Sequence, residues 1–217
     1  MMPKPRNKKV KRVESKLWIY NEGSQTEINY LNGYIQDKHS GNRLIEFVDI
    51  KDVRQNTPES LVKRIIKDKK DENHLSNDIH WVAYDREAVS KYSNLLHAQA
   101  LVRAESNKIN VALTNVCIEQ WLLLHFSYST TSYSSCDDLL RNSPLKKNLR
   151  QIGIDKYEKG NIDLYTKLKD NVSTARTRAI KLNKSIKETF SIGAKPYEMN
   201  PYCDFNLVLD AIDDFVS

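Results

Sequence analysis

The sequence predicts an α/β fold, in which a four-stranded, mostly parallel sheet is flanked by helices and followed by a helical C-terminal extension. Through Phe126, four short runs of β-type residues alternate with longer helical stretches. Such spacing requires right-handed crossovers between parallel strands, with helices covering both faces of the sheet. Beyond Phe126 the chain changes to helical segments separated by polar turns, which predicts the extension.

The elements follow from local signals in chain order. Apolar β-type runs predict the strands, and periodic apolar spacing predicts the helices. The second helix also has a start signal, because Thr57 can cap it and Pro58 suits its first turn. The predicted order is strand Lys16–Asn21, helix Thr26 to about Asp37, strand Leu44–Ile50, helix Pro58–Lys70, strand Ile79–Tyr84, helix Ser90–Ser106, strand Ile109–Thr114, helix Cys117–Phe126 and a terminal helix within Asn200–Val216.

Composition bounds the class of protein. The 217 residues are 40% apolar and 29% charged, which is typical of a globular chain of one domain with an elaboration. No apolar run approaches the roughly 20 residues that span a bilayer, so we expect a cytoplasmic protein without a membrane segment. The cysteines Cys117, Cys136 and Cys203 are odd in number and far apart, which argues against a disulfide framework and a zinc cluster.

Three regions are predicted: a basic disordered arm (1–15), an α/β core (16–126) and a helical extension (127–217) packed on the core. The formal net charge is +6. The arm supplies much of this excess and can bind a polyanion, although a merely solvated tail explains the charge equally well. Arg176 belongs to a second set of basic residues on a predicted amphipathic helix. These residues are first of all explained as the solvent-exposed face of that helix. The arm cations are Lys4, Arg6, Lys8, Lys9, Lys11 and Arg12.

Acidic side chains follow two of the predicted strands. Glu22 follows the first strand, and Asp85 and Glu87 follow the third. Parallel strands end at one edge of a sheet, so these carboxylates should converge there. Gathered carboxylates require a cation, and a site of this type with substrate phosphate suits Mg²⁺. An ordinary strand-to-helix turn and a helix cap are the alternatives for each motif taken alone.

The residues between the acids support an anion site. Gly23 allows a tight turn and close approach of a phosphate to the backbone, and Thr26 can cap the following helix, whose N-terminus favours anions. Glu27 lies on the first turn of that helix. Interaction with the helix dipole is favoured for Glu27 over a place in a second metal position.

The motifs together resemble a known family. Glu-Gly after the first strand and an acid-x-acid after the third resemble the Toprim fold. The segments "NEGSQTEINYL", "VAYDRE", "TNVCIEQWLLLHF", "YEKGNIDLY" and "NPYCDFNLVLDAI" are similar in order and character to the RloB-like family, over nearly the whole chain. The resemblance implies a Toprim-like α/β core and an association with anti-phage defence and abortive infection.

Carried over by position, the resemblance makes Glu22 the general acid/base and a metal contact. Asp85 and Glu87 become the metal-binding pair, and Glu119 a further acid near Asn115. Lys156 and Lys159, which flank Tyr157 and Glu158 of the "YEKG" match, become phosphate contacts, although each taken alone would more often be a solvated lysine. The sequence departs from the family pattern at Glu87, where many Toprim proteins have Asp, and at Val116, which replaces a usual proline.

The leading hypothesis is a nuclease that depends on Mg²⁺ or Mn²⁺. The resemblance favours RNA, including tRNA, over DNA as the substrate of a translation-blocking toxin. Basic residues would bind the phosphate backbone without reading sequence: Lys8, Lys9, Lys11, Arg12, Lys156, Lys159 and Arg176. The rival hypothesis is a non-enzymatic partner of a defence ATPase, since this chain has no phosphate-binding loop of its own. A nucleotidyl transferase is the least favoured.

Overall fold

The structure is a computed structural model that describes residues 14–22, 25–49 and 57–216. A mostly parallel sheet of five strands forms its centre, in the order β2-β1-β3-β4-β5. Strands β1 to β4 are parallel, and β5 pairs antiparallel with β4. The strands are β1 (Leu17–Asn21), β2 (Ile45–Asp49), β3 (Ile79–Asp85), β4 (Asn110–Asn115) and β5 (Tyr202–Cys203).

Helices flank this sheet and confirm the predicted α/β class. Four of them follow β1 to β4 in alternation, and the others lie in the C-terminal part of the chain. The helices are α1 (Gln25–Lys38), α2 (Pro58–Asp68), α3 (Asn94–Ser106), α4 (Glu119–Phe126), α5 (Cys136–Asn142), α6 (Leu145–Gln151), α7 (Leu164–Leu168), α8 (Val172–Lys187) and α9 (Phe205–Val216). Among the described residues, none of these helices has the length and apolar character needed to cross a bilayer.

The core is built from the central strands and the helices that cover them. Leu17 and Ile19 of β1 are fully buried. Trp121 of α4, also fully buried, packs near the rings of Tyr30 and Phe205, which belong to α1 and α9. These contacts join the first, fourth and last helices around one apolar interior, and they fix the positions of the strand ends.

The C-terminal part of the chain contributes a strand that the sequence did not predict. The predicted terminal helix is interrupted, because Tyr202–Cys203 forms β5 and α9 begins only at Phe205. The backbone N–H of Cys203 donates to Oδ1 of Asn183, whose Nδ2 donates back to the Cys203 carbonyl, both at 2.9 Å. These bonds satisfy the backbone of Cys203 on the outer side of the edge strand, so an extended conformation replaces the expected helix.

Two helices begin later in the structure than the sequence predicts. Helix α3 begins at Asn94, later than the predicted Ser90, and α4 begins at Glu119, later than Cys117. In both places the chain first completes a turn beyond the strand, and this turn carries the acidic or thiol side chains described next.

Candidate functional site

The candidate acids lie at the carboxyl ends of β1 and β3, where the order of the strands reverses. The chain runs from β1 outward to β2 and then returns to the other side of β1 to form β3. Ligands of open parallel sheets bind outside the carboxyl ends of the strands at such a reversal. Glu22 directly follows β1, and Asp85 is the last residue of β3, so both acids lie beside this reversal.

Asp85 interacts electrostatically with four other carboxyl groups. Its residue is only 8% exposed. Burial is the largest cause that raises the pKa of Asp85 well above its ordinary value, and the charges of Glu27, Glu119, Glu22 and Glu87 add to it. The structure therefore brings together the four acids singled out from the sequence, and Glu27 joins them.

The pKa of Glu22 is also raised, to a value that a pH titration can reach. Burial, followed by the charge of Glu87, raises the pKa of Glu22 to about 8. The ammonium of Lys91 and a backbone hydrogen bond from Asp85 act in the opposite direction without cancelling the increase. Without a bound cation, Glu22 and Asp85 thus hold protons at a pH where exposed carboxyl groups are ionised.

The turn just beyond β3, which carries Glu87, continues the backbone hydrogen bonding that joins β3 to β4. The Arg86 N–H donates to the Thr114 carbonyl at 2.8 Å, and the Glu87 N–H donates to the Val116 carbonyl at 2.9 Å. Glu87 has a φ of 61°, in the left-handed region that side chains other than glycine seldom adopt. Its carboxylate pairs with Lys91 at 2.7 Å, so the Glu87 side chain is held toward the segment that precedes α3.

Arg86 fastens this turn and was missed by the sequence analysis. Its guanidinium is almost fully buried. Nε donates to the Tyr197 carbonyl at 3.0 Å, Nη1 to the Tyr92 carbonyl at 2.9 Å, and Nη2 to Oδ1 of Asn94 at 2.6 Å. The place of Arg86 between two acids suggests a contact with a ligand. Its guanidinium is instead occupied by buried protein acceptors, so Arg86 positions the turn that carries Asp85 and Glu87.

Glu119 begins α4 and is fully buried. The Tyr157 hydroxyl donates to its Oε1 at 3.0 Å, and the Cys136 thiol donates to its Oε2 at 3.2 Å. The helix N-terminus favours a carboxylate at this position. Tyr157 begins the "YEKG" segment and lies between Lys156 and Lys159, the two lysines that the resemblance implies as phosphate contacts. No role was predicted for Tyr157 itself.

The structure changes the expectation about the cysteines. One ligand atom each of Cys117, Glu119 and Cys136 lie within 4.8 Å of one another, so these residues form a possible metal-binding group. Among the described residues the cysteines are unbridged. Distance along the chain argued against a cysteine metal site, but the start of α5 returns to the turn between β4 and α4.

The "YEKG" loop lies against the same cluster. The Gly160 N–H donates to Oγ1 of Thr26 at 2.9 Å, and Nδ2 of Asn29 donates to the Gly160 carbonyl at 2.7 Å. Thr26 therefore binds this loop, and it lies inside α1 rather than before it as a cap. Burial lowers the pKa of the Lys159 ammonium, but the charges of Glu119, Cys136 and Asp85 outweigh this effect and raise the pKa.

The other basic residues lie elsewhere. Lys156 is exposed and pairs with Glu158 at 2.6 Å. Arg176 pairs with Asp210 at 3.1 Å and with Asp213 at 2.8 Å, which joins α8 to α9 and favours a structural role over a phosphate contact. The arm residues Lys8, Lys9, Lys11 and Arg12, and also Gly23, fall outside the described residues.

Fold and site together define a parallel α/β protein with a carboxylate centre at a strand reversal and a thiol-carboxylate group beside it. A family model described as RloB-like protein matches residues 17–212. The chain therefore belongs to the RloB-like family, as the motif resemblance predicted. Searches of the curated proteins and of the solved structures found no significant match.

Proposed function

We propose that this protein is a cytoplasmic, Mg²⁺-dependent nuclease that hydrolyses phosphodiester bonds, with RNA, including tRNA, as its substrate. The observation that carries the proposal is the group of five carboxyl groups at the strand reversal, formed by Asp85 and the four acids whose charges act on it. Ionised together, these groups would repel one another, so Glu22 and Asp85 keep protons in the metal-free chain, and a divalent cation would favour their ionised forms. Mn²⁺ would serve as an alternative, since oxygen ligands accept both ions.

The residues present fit such a cation by their chemistry. Asp85 and Glu87 would hold it, with Glu22 as a further contact, because hard cations prefer carboxylate oxygens. When bound, the ion supplies Lewis-acid polarisation of the scissile phosphate. The pairing of Glu87 with Lys91 would have to loosen as the carboxylate turns to the ion.

Glu22 is the proposed general acid/base. Burial and the charge of Glu87 raise the pKa of Glu22 to about 8 in the metal-free chain, and a bound cation would lower it toward the range in which the carboxyl group can exchange a proton with water or the leaving oxygen. It would remove a proton from the attacking water or deliver one to the leaving oxygen. Glu119, fixed by Tyr157, would keep the surrounding charge negative and so favour cation binding.

Lys159 is proposed to contact substrate phosphate, because its loop is attached to α1 beside the carboxylates. Binding of the nucleic-acid backbone should be sensitive to salt. The preference for RNA and a part in anti-phage defence by abortive infection follow from the family resemblance. If the chain is instead a non-enzymatic partner of a defence ATPase, the same carboxylates would bind a structural ion or a partner's arginine.

The test is cleavage of end-labelled tRNA, mRNA and DNA with Mg²⁺ or Mn²⁺. We expect wild type to cleave RNA, EDTA to stop cleavage, and Glu22→Gln and Asp85→Asn to lower the rate by at least about 100-fold. Glu72→Gln and Asp170→Asn are matched controls, because both acids are exposed and remote in sequence from the strand ends. They should cleave as wild type does.

Equal cleavage by wild type and by Asp85→Asn would contradict the proposed mechanism. No cleavage of any substrate by wild type, together with copurification of an ATPase, would favour the partner module. Incorporation of labelled nucleotide would instead indicate a transferase.

A further inference from the structure

A second group of ligands lies beside the carboxylate centre, and its chemistry differs from that of the strand-end acids. Cys117 lies between β4 and α4, Glu119 is the first residue of α4, and Cys136 is the first residue of α5. One ligand atom from each lies within 4.8 Å of the others. Two sulfur ligands and one carboxylate oxygen thus lie close enough together to converge on a single cation.

This ligand set selects a class of metal. Thiolate ligands favour Zn²⁺ and related thiophilic ions, whereas Mg²⁺ takes oxygen ligands and retains water. Zinc bonds of about 2.3 Å to sulfur and about 2.0 Å to oxygen place tetrahedral ligands less than about 4 Å apart, which is within reach of the present spacing. Three protein ligands leave a fourth position for water.

The surroundings of the group are those of a prepared site. Tyr157 donates to Oε1 of Glu119 at 3.0 Å, so Oε2 is left facing Cys136 at 3.2 Å. Partners that fix a ligating carboxylate in this way are typical of metal sites. Cys117 and Glu119 are fully buried, while Cys136 is half-buried and gives an ion a path from solvent.

We propose that Cys117, Glu119 and Cys136 form a binding site for one thiophilic divalent cation, with Zn²⁺ as the ion of choice. The proposed site shares Glu119 with the carboxylate group around Asp85, but its other two ligands are thiols, and it does not depend on nuclease activity. Zn²⁺ bound there would withdraw Glu119 from its proposed part in Mg²⁺ binding.

The experiment is a Co²⁺ titration of the full chain, reduced and stripped of metal, followed by displacement with Zn²⁺. Thiolate-to-cobalt charge-transfer absorption reports sulfur ligands directly. We expect the band to saturate at one equivalent in wild type and to disappear when Zn²⁺ is added. Cys203→Ser is the matched control, because Cys203 is the third thiol and lies outside the group.

The variants divide the roles of the residues. Cys136→Ser should lose about half of the band intensity and bind Zn²⁺ at least about 10-fold more weakly. Tyr157→Phe should keep the band but weaken Zn²⁺ binding by about 10- to 100-fold, as loss of an orienting partner does. Asp85→Asn should keep the band, which separates this proposal from that of the Mg²⁺ centre.

Circular dichroism checks the fold of each variant, and thiol titration of the unfolded chain excludes a Cys117–Cys136 disulfide before each run. The half-buried position of Cys136 makes its serine variant the one expected to fold. Absence of the band in fully reduced wild type would overturn the proposal. A band that survives Cys136→Ser at full intensity, or that is lost in Cys203→Ser, would overturn it equally.

Discussion

Replacement of Glu22 by glutamine should stabilise the metal-free protein, and more so as pH rises. In the unfolded chain the Glu22 carboxyl ionises near 4.5, whereas burial and then Glu87 raise its pKa to about 8 in the folded chain. The folded state therefore binds more protons than the unfolded state between these two values, and stability falls as pH rises through that window.

The size of the effect follows from the difference between the two pKa values. Each pH unit inside the window costs about 1.4 kcal/mol per group, so Glu22 by itself should lower the free energy of unfolding by at most about 4 kcal/mol between about pH 5 and about pH 8. Because the ionisation of Glu22 is coupled to that of the neighbouring Asp85, we expect the part of the loss that Glu22→Gln removes to be about 2 to 4 kcal/mol. Glutamine removes the charge and keeps an oxygen that can accept the Asp85 backbone hydrogen bond.

Urea unfolding followed by tryptophan fluorescence, in EDTA across this pH range, measures the loss. We expect Glu22→Gln to flatten the pH dependence and Glu72→Gln to leave it as in wild type. When saturating Mg²⁺ replaces EDTA, the free energy of unfolding of the wild-type protein should rise again near pH 8, because the ion binds the ionised carboxylates of the folded chain. A parallel fall of stability with pH in wild type and in Glu22→Gln would refute the reasoning.

Three further predictions test the parts of the site. Asp85→Asn should raise the urea midpoint of the metal-free protein at neutral pH, since it removes a buried carboxyl group that must take up a proton on folding, and should abolish stabilisation by Mg²⁺; unchanged stabilisation would contradict this. Arg86→Met should cost at least about 3 kcal/mol in urea unfolding, because buried carbonyls lose a charged donor, and a loss below about 1 kcal/mol would be too small for that role. Gly160→Ala should cost about 1 to 3 kcal/mol by the same assay, since φ is 85° and a Cβ would lie 2.9 Å from Cβ of Gln25. Gly41→Ala shares this φ in open space, so an equal loss there would show that backbone strain, not the loop contact, is responsible.

The sequence predicts the parallel sheet and the position of its acids because these depend on local patterns. Alternating strands and helices specify the crossovers, and a carboxylate directly behind a strand must lie at the sheet edge. Glu22 and Asp85 could therefore be found from the sequence. The reversal of strand order between β1 and β3 then brings them together.

The features that were missed depend on contacts between distant parts of the chain. The strand Tyr202–Cys203 has two residues, too few for a periodic signal, and is specified by β4 and by the side chain of Asn183. The approach of Cys136 to Cys117 depends on how α5 packs on α4. A tyrosine in a polar loop, Tyr157, gives no sign in sequence that it orients a buried carboxylate.

The most direct test of the carboxylate centre is an anomalous difference map from crystals of the protein grown with Mn²⁺. We expect a peak within bonding distance of Asp85 and Glu87, with Glu22 facing it, and no such peak in crystals of Asp85→Asn. A map of wild type with no peak at these carboxylates, at a Mn²⁺ concentration that supports cleavage or stabilisation, would contradict the claim that the strand ends form a divalent-cation site.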